Sequence, residues 1–262
     1  MSKKKINVKN ILLRKSKEEA DTINSFNYQW THLSDSKFLL TDDLWRENVD
    51  KYILDELSIT KEWIKNKTVL DVGSGGGRWS YGFAKLGCKV TSVDISEGPC
   101  KLTQKNVPQA EVIMSDLFEL NKVLRNRNFD IVWCWGVIHH TANPRMAFEI
   151  LTTLMHQNSL IHLYVYSFKR GKKVKKLRKL LKIFSLRNRE RIIRLLIKTG
   201  ILHGSVHELY DALSTQINHE IDESTLKKWF EEYRLLYQRY TPQWARESKD
   251  LFVTGSRIRS EK

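Results

Sequence analysis

The 262-residue sequence predicts an α/β protein. The expected architecture is a mostly parallel seven-stranded sheet with helices on both faces, an antiparallel terminal hairpin and a helical basic insertion after strand five. Three observations predict it. Apolar runs of strand length alternate with helically periodic segments from about residue 67 to 167. The first run ends in a glycine turn that opens a helix. The chain then closes on two short strand-like runs, not on further strand–helix units.

Taken in order, residues 1–66 read as a helical N-terminal cap with dispersed aromatics (Phe26, Tyr28, Trp30, Trp45, Trp63). KTVLDV (67–72) is an apolar run of strand length, and RWSYGFAKLG (78–87) is helically periodic and stops at Gly87. CKVTSVD (88–94) and AEVIMSD (110–116) read as strands ending in acids, flanking a helix over 98–107 with Pro99 in its first turn. A short helix over 117–127 leads to strand FDIVWCWG (129–136). A helix over 144–157, started by Pro144, leads to strand SLIHLYVYS (159–167). Residues 168–220 interrupt the pattern as a helical lid. Asp222 can cap a helix to 232, and 233–241 and 251–258 supply the last strands. The main domain is thus expected over 67–262.

With 41 % hydrophobic residues and 10 % aromatics the chain is globular, and its length suits one large domain. Cys88, Cys100 and Cys134 have no metal-knuckle spacing, and three cysteines suit a reducing compartment. The basic N-terminus lacks the apolar core of a signal peptide, and LIHLYVY (160–166) is too short to span a bilayer. A cytoplasmic protein is expected, with association at the inner face of a membrane left open. Of the net charge of +15, residues 169–198 carry +13, from 14 Lys or Arg against Glu190 alone. The basicity therefore belongs to one element, which argues against a general nucleic-acid coat.

The chemistry centres on VLDVGSGGG (69–77). Gly73, Gly75 and Gly77 let backbone approach a ligand closely. A dinucleotide fingerprint needs a third small residue at position 78, which is Arg78. Asp71, just before the first glycine, suits a ligand carrying ammonium and sulfonium groups and would repel a pyrophosphate. Those two features favour S-adenosylmethionine over NAD. Asp94 can accept the ribose hydroxyl protons. Asp116 can accept the adenine amino group with Leu117 or Phe118 against the ring, or cap the following helix; both roles can coexist.

These motifs resemble the class I S-adenosylmethionine-dependent methyltransferases, a Rossmann-like fold. VLDVGSGGG resembles their first motif, VTSVDIS (90–96) the second and SDLFEL (115–120) the third. FDIVWCWGVIHHTANP (129–144) is similar to the ubiquinone/menaquinone-biosynthesis-like branch, and FNYQW (26–30) to an aromatic motif of some bacterial members. The resemblance implies cofactor contacts from Asp71, Gly73, Ser74, Gly75, Gly77, Asp94, Ile95, Ser96, Asp116, Leu117, Trp135 and Gly136, with S-adenosylhomocysteine as product. It implies an acceptor lined by Tyr28, Trp30, Trp79 and Tyr166. MHQNSL (155–160) replaces the Lys-Pro-Gly-Gly turn of many relatives, which puts that loop's shape in doubt.

His139 and His140 follow strand four at the sheet's carboxyl edge, where a histidine can act as general base, or can pack the pocket or cap the next helix. His140 is the preferred base. Cys134, inside a strand between tryptophans, reads as a small apolar residue. No metal site is expected: His203 and His207 have i, i+4 spacing without the HExxH pattern. For the amphipathic basic segment three readings stay open. It can serve an anionic small-molecule or lipid-linked acceptor at a membrane surface, grip RNA phosphates, or be a solvated hairpin. The function expected is O- or N-methylation of a small anionic, saccharide-linked, lipid-linked or specialised acceptor. RNA methylation and a non-catalytic binding subunit are the alternatives.

Overall fold

A computed structural model describes residues 15–33, 40–125, 127–166, 172–246 and 248–257. Strands β1 (Thr68–Val72), β2 (Lys89–Asp94), β3 (Glu111–Met114), β4 (Phe129–Trp135), β5 (Met155–Val165), β6 (Leu235–Arg239) and β7 (Leu251–Arg257) form one sheet in the order β3-β2-β1-β4-β5-β7-β6. β3 to β5 run parallel, while β7 pairs antiparallel with both β5 and β6. The order reverses between β1 and β4, which opens a crevice at their carboxyl ends.

Two apolar layers sandwich the sheet. On one face α2 (Asp43–Leu57) and α4 (Arg78–Lys85) cover Val69, Ile131 and Trp133, and α5 (Glu97–Asn106) lies along β2 and β3. On the other, α6 (Leu120–Leu124), α7 (Pro144–Thr153) and α11 (Glu223–Glu232) cover Leu70, Val132, Leu163 and Val253. A short α3 (Lys61–Ile64) precedes β1. Strand alternation explains the split: Val69 and Asp71 face one layer, Leu70 and Val72 the other. Asp222 caps α11, accepting from the Thr225 amide at 2.7 Å.

Two local expectations change. The helix expected over 144–157 ends at Thr153, and β5 begins at Met155. The register with β4 shifts between Phe129 and Ile131, so MHQNS enters the sheet through an irregularity. The Ser159 hydroxyl ties it down by donating to the Phe129 carbonyl at 2.6 Å.

The N-terminal segment divides in its packing. Helix α2 belongs to the sheet's core. Helix α1 (Lys17–His32), started by a Ser16–Glu19 capping box, lies instead with the insertion. The insertion comprises α8 (Lys172–Leu181), α9 (Leu186–Lys198) and α10 (Val206–Ser214). Leu181, Ile193, Val206, Tyr210 and Leu213 form its own apolar centre with Leu33. Its junction with β5 lies outside the described residues. Arg189, 2 % exposed, fastens this unit: its guanidinium grips Asp21 of α1 with two 2.9 Å bonds and donates to the Ser214 carbonyl at 3.0 Å. No helix among the described residues is long and apolar enough to cross a membrane.

Candidate active site

A cavity of about 780 Å³ opens at the crevice between β1 and β4. That volume falls within the range of about 300–1,000 Å³ usual for small-molecule pockets. One end is built by the tips of β1, β2 and β3: Gly73, Asp94, Ile95, Asp116, Leu117 and Phe118 line it. The other end is walled by Trp135, Tyr164, Tyr166 and Phe252 from β4, β5 and β7, with Arg78, His140, Asp211 and Arg246 around them. Helix α1 roofs the space with Phe26, Gln29 and Trp30.

Gly73 marks the closest approach. Its φ is +73°, and a Cβ there would stand 2.2 Å from Val137 Cγ2. A side chain would thus be both strained and obstructed. Gly75, with φ +53°, has the Trp30 indole 2.5 Å from the place of a Cβ. The glycine turn is therefore shaped to fit under α1 as well as around a ligand.

Asp94 is held by its own turn. Its carboxylate accepts from the Ser96 amide at 2.9 Å and the Gly75 amide at 3.1 Å. Burial, opposed by those amides, pushes its carboxyl up to about 6. A carboxylate offers about four acceptor positions, so two remain for donors in the cavity. Asp116 caps the following 3₁₀ turn by accepting from the Phe118 amide at 3.1 Å. Its second oxygen pairs with Lys15 at 2.7 Å. Gln29 adds a buried side-chain oxygen with no hydrogen-bond partner among the described residues. An S-adenosylmethionine fits this set. Asp94 would take the ribose hydroxyls, Asp116 with Leu117 and Phe118 the adenine, and Gln29 Oε1 an N–H of the amino-acid moiety.

Several expected residues stand elsewhere. Asp71 does not reach the cavity wall; it lies under the turn, 1 % exposed, and accepts from the Ser80 hydroxyl at 2.5 Å. Burial pushes its carboxyl up to about 6. Ser74 meets Thr103 at 3.3 Å, and Thr103 donates to the Gly75 carbonyl at 2.9 Å, so these residues brace the turn on α5. Gly77 packs against Thr103, and Ser96 acts through its amide on Asp94. Tyr28, expected at the acceptor, instead donates to Glu190 at 2.6 Å and stacks on Tyr210, joining α1 to the insertion. Trp79 is also displaced from that role: it is 3 % exposed, packed between Trp45 and Trp133. His139 is fully buried against Tyr166 and is not on the wall. Trp30, Trp135, Gly136, Tyr166 and His140 do line the cavity. Cys134 is fully buried in the core, where desolvation raises its thiol.

The wall residues not singled out from sequence include Arg78, Tyr164, Asp211, Arg246 and Phe252. Position 78 entered only as the residue that breaks a dinucleotide fingerprint. Its guanidinium lies 4.5 Å over the Trp135 ring, and burial lowers it to about 10.

The β3-β2-β1-β4-β5-β7-β6 sheet with ligand groups at its reversal point defines a doubly wound nucleotide-binding α/β protein with an antiparallel end. Residues 70–163 match the methyltransferase domain family, so the chain carries a class I S-adenosylmethionine-dependent methyltransferase domain. It is 26 % identical over 102 residues to the ubiquinone biosynthesis O-methyltransferase of Glaesserella parasuis serovar 5, covering 36 % of this chain and 43 % of that one. It is 32 % identical over 97 residues to the enzyme of the same name from Coxiella burnetii, covering 36 % and 39 %. The chain thus spans less than half the length of these relatives. Among solved structures it is similar to the magnesium protoporphyrin IX methyltransferase of Synechocystis PCC 6803 with bound S-adenosylmethionine. That likeness has a TM-score of 0.57 at 13 % identity over 98 % of this chain and all of that one. It is also similar to the N-methyltransferase NodS of Bradyrhizobium japonicum WM9 bound to S-adenosylhomocysteine, with a TM-score of 0.57 at 12 % identity over 91 % and 100 %. At such identities these two matches speak for the fold.

Proposed function

We propose that this protein transfers the methyl group of S-adenosylmethionine to an oxygen or nitrogen of a small acceptor, with His140 as general base. One observation carries the reading. A single cavity joins an acid-and-glycine end suited to an adenosyl group with an aromatic end that contains a histidine. When bound, the sulfonium supplies an electrophilic methyl group. The acceptor's oxygen or nitrogen would have to stand in line with that methyl carbon.

The chain's part is to align the two and take the proton. Trp135 and Tyr164, stacked with centroids 4.0 Å apart, give a flat wall for the acceptor. Arg78 and Arg246 favour an anionic group on it. His140 Nδ1 lies 2.8 Å from the Ile217 carbonyl, so Nδ1 carries the hydrogen and Nε2 of the neutral ring is the basic nitrogen.

The test is calorimetric binding of S-adenosylmethionine and S-adenosylhomocysteine, with NAD as the control. Binding of the first two alone supports the reading, and a screen of anionic aromatic, saccharide and lipid-linked acceptors then compares the wild type with His140→Gln. Binding of NAD in their place would remove it.

A membrane-bound or lipid-linked acceptor is favoured by the outer surface of the insertion. Lys176, Lys179 and Leu180 share one face of α8, with Ile183 in the turn after it, and Arg187, Arg191, Leu195 and Lys198 share one face of α9, all exposed. Co-sedimentation with phosphatidylglycerol vesicles, lost in Arg187→Glu/Arg191→Glu, is expected. No sedimentation of the wild type would rule that source out.

A further inference from the structure

Helix α10 belongs to the insertion, outside the strand–helix frame, yet it places a carboxylate inside the cavity. Asp211 Oδ1 lies 3.4 Å from His140 Nε2. Its Oδ2 accepts from the Tyr166 hydroxyl at 2.6 Å. The side chains of His140 and Asp211 are 4 % and 20 % exposed, so solvent screens this pair weakly.

The backbone beyond α10 is fastened to the same corner. The His219 amide donates to the His139 carbonyl at 2.8 Å, and the Ile221 amide to the Tyr166 carbonyl at 3.1 Å. The Ile217 carbonyl takes the Nδ1 hydrogen of His140. Both faces of the imidazole's chemistry are thus set by residues 211–221: the tautomer by Ile217, the charge by Asp211. The structure assigns Asp211 as the positioning residue of His140. The Ile217 carbonyl fixes the ring, and the Asp211 carboxylate, 3.4 Å from Nε2, stabilises the imidazolium formed when Nε2 accepts the acceptor's proton, so that the insertion completes the base site.

This assignment rests on the proposed base role for its kinetic meaning, but the pairing itself can be read without any acceptor. Other described residues also surround His140. His139, with its ring centroid 4.2 Å away, precedes it on its own turn, and Tyr166 comes from the end of β5. Phe26 of α1 presents an uncharged ring edge. His207 and Glu208 of α10 line the same cavity, and His219 follows on the segment after α10. Among them Asp211 holds the charge nearest to Nε2.

The experiment is a pH titration of the ¹⁵N-labelled imidazoles by NMR on the full chain, with His140→Gln giving the assignment. Removing the carboxylate charge disfavours the imidazolium, so the ring loses its proton at lower pH. In Asp211→Asn the His140 titration midpoint should fall by about one pH unit, a tenfold change in proton affinity. Tyr166→Phe removes the tyrosine's hydrogen bond to Asp211 and keeps the carboxylate charge, so the midpoint should stay within about 0.3 unit or rise. A midpoint unmoved in Asp211→Asn overturns the assignment. So does an equal fall in Tyr166→Phe, which would mark loosened packing. A normal fall in Asp211→Asn alongside a fully active His140→Gln enzyme would uphold the pairing and overturn the base role instead.

Discussion

Replacing Asp94 by asparagine tests the cofactor end at its central carboxylate. The carboxylate already accepts two backbone N–H groups, at 2.9 and 3.1 Å, and turns its remaining lone pairs to the cavity. Two ribose hydroxyls donating to it would form hydrogen bonds to a charged group, each worth about 1.5–3 kcal/mol. Losing the charge and one acceptor oxygen should therefore cost about 3 kcal/mol of affinity, or roughly 150-fold in Kd. Stability should respond differently. The carboxyl, raised from 3.8 to about 6, is an unfavourable buried charge at neutral pH. On that shift its ionised form costs about 3 kcal/mol. Asparagine removes this cost but sets an amide N–H against the Gly75 or Ser96 amide. The two effects offset, so the thermal midpoint of the ligand-free protein should change by a few degrees at most. Calorimetry with S-adenosylhomocysteine at pH 7.5, beside a melting curve, reads both. Affinity within threefold of wild type would refute the ribose role. A large loss of thermal stability would show that the carboxylate serves the fold first.

Two further outcomes follow from the same chemistry. Asp71 and Asp94 are both raised to about 6, so the folded chain holds their protons where the unfolded chain has released them. Their stabilising contribution is full below about pH 4 and is lost as pH rises through about 6. Ligand binding should run the other way, because the ribose needs the ionised Asp94: Kd should rise about tenfold from pH 7 to pH 5, and a flat calorimetric profile would contradict the assignment. Arg189→Met should leave Asp21 and the Ser214 carbonyl without their buried donor and cost about 3 kcal/mol. Urea unfolding and proteolysis within 172–220 read that cost, and unchanged protection would deny Arg189 its fastening role.

How much of this was legible depended on whether the signal was local. The seven strands, their mostly parallel run and the antiparallel end followed from apolar runs and glycine turns, and Asp94 and Asp116 followed as strand-end acids, whereas the strand order did not. Asp71 was legible as an acid but not in its aim. Strand alternation, applied to Val69–Asp71 against Leu70–Val72, would have turned it toward α4. Tyr28 could likewise have been separated from Phe26 and Trp30, because residues four apart share a helix face and a residue midway lies opposite. The start of β5 was hidden because His156, Gln157 and Asn158 continue a helical composition while the register shift absorbs them. Nothing local marks Asp211: it is one acid on an amphipathic helix, 71 positions from His140, and only the chain's return past β4 and β5 brings the two together.

The insertion's charge therefore divides into two sets that composition merged. Arg189 is spent inward on α1 and α10, and Arg178 donates to the Ala212 carbonyl at 2.7 Å. Lys175 and Lys182 pair with Glu220 and Glu18, at 2.9 and 3.0 Å. These contacts run to the helix that roofs the cavity (α1), to the helix that carries Asp211 (α10) and to the irregular segment after it. Lys176, Lys179, Arg187, Arg191 and Lys198 instead stand exposed on the outer surface. A change that loosens the inward set should thus act on the base site, and one confined to the outward set should act on what surface the protein visits. The sharp local concentration of positive charge is then partly a fastening device. Its inward members hold the helix that completes the site against the helix that closes it.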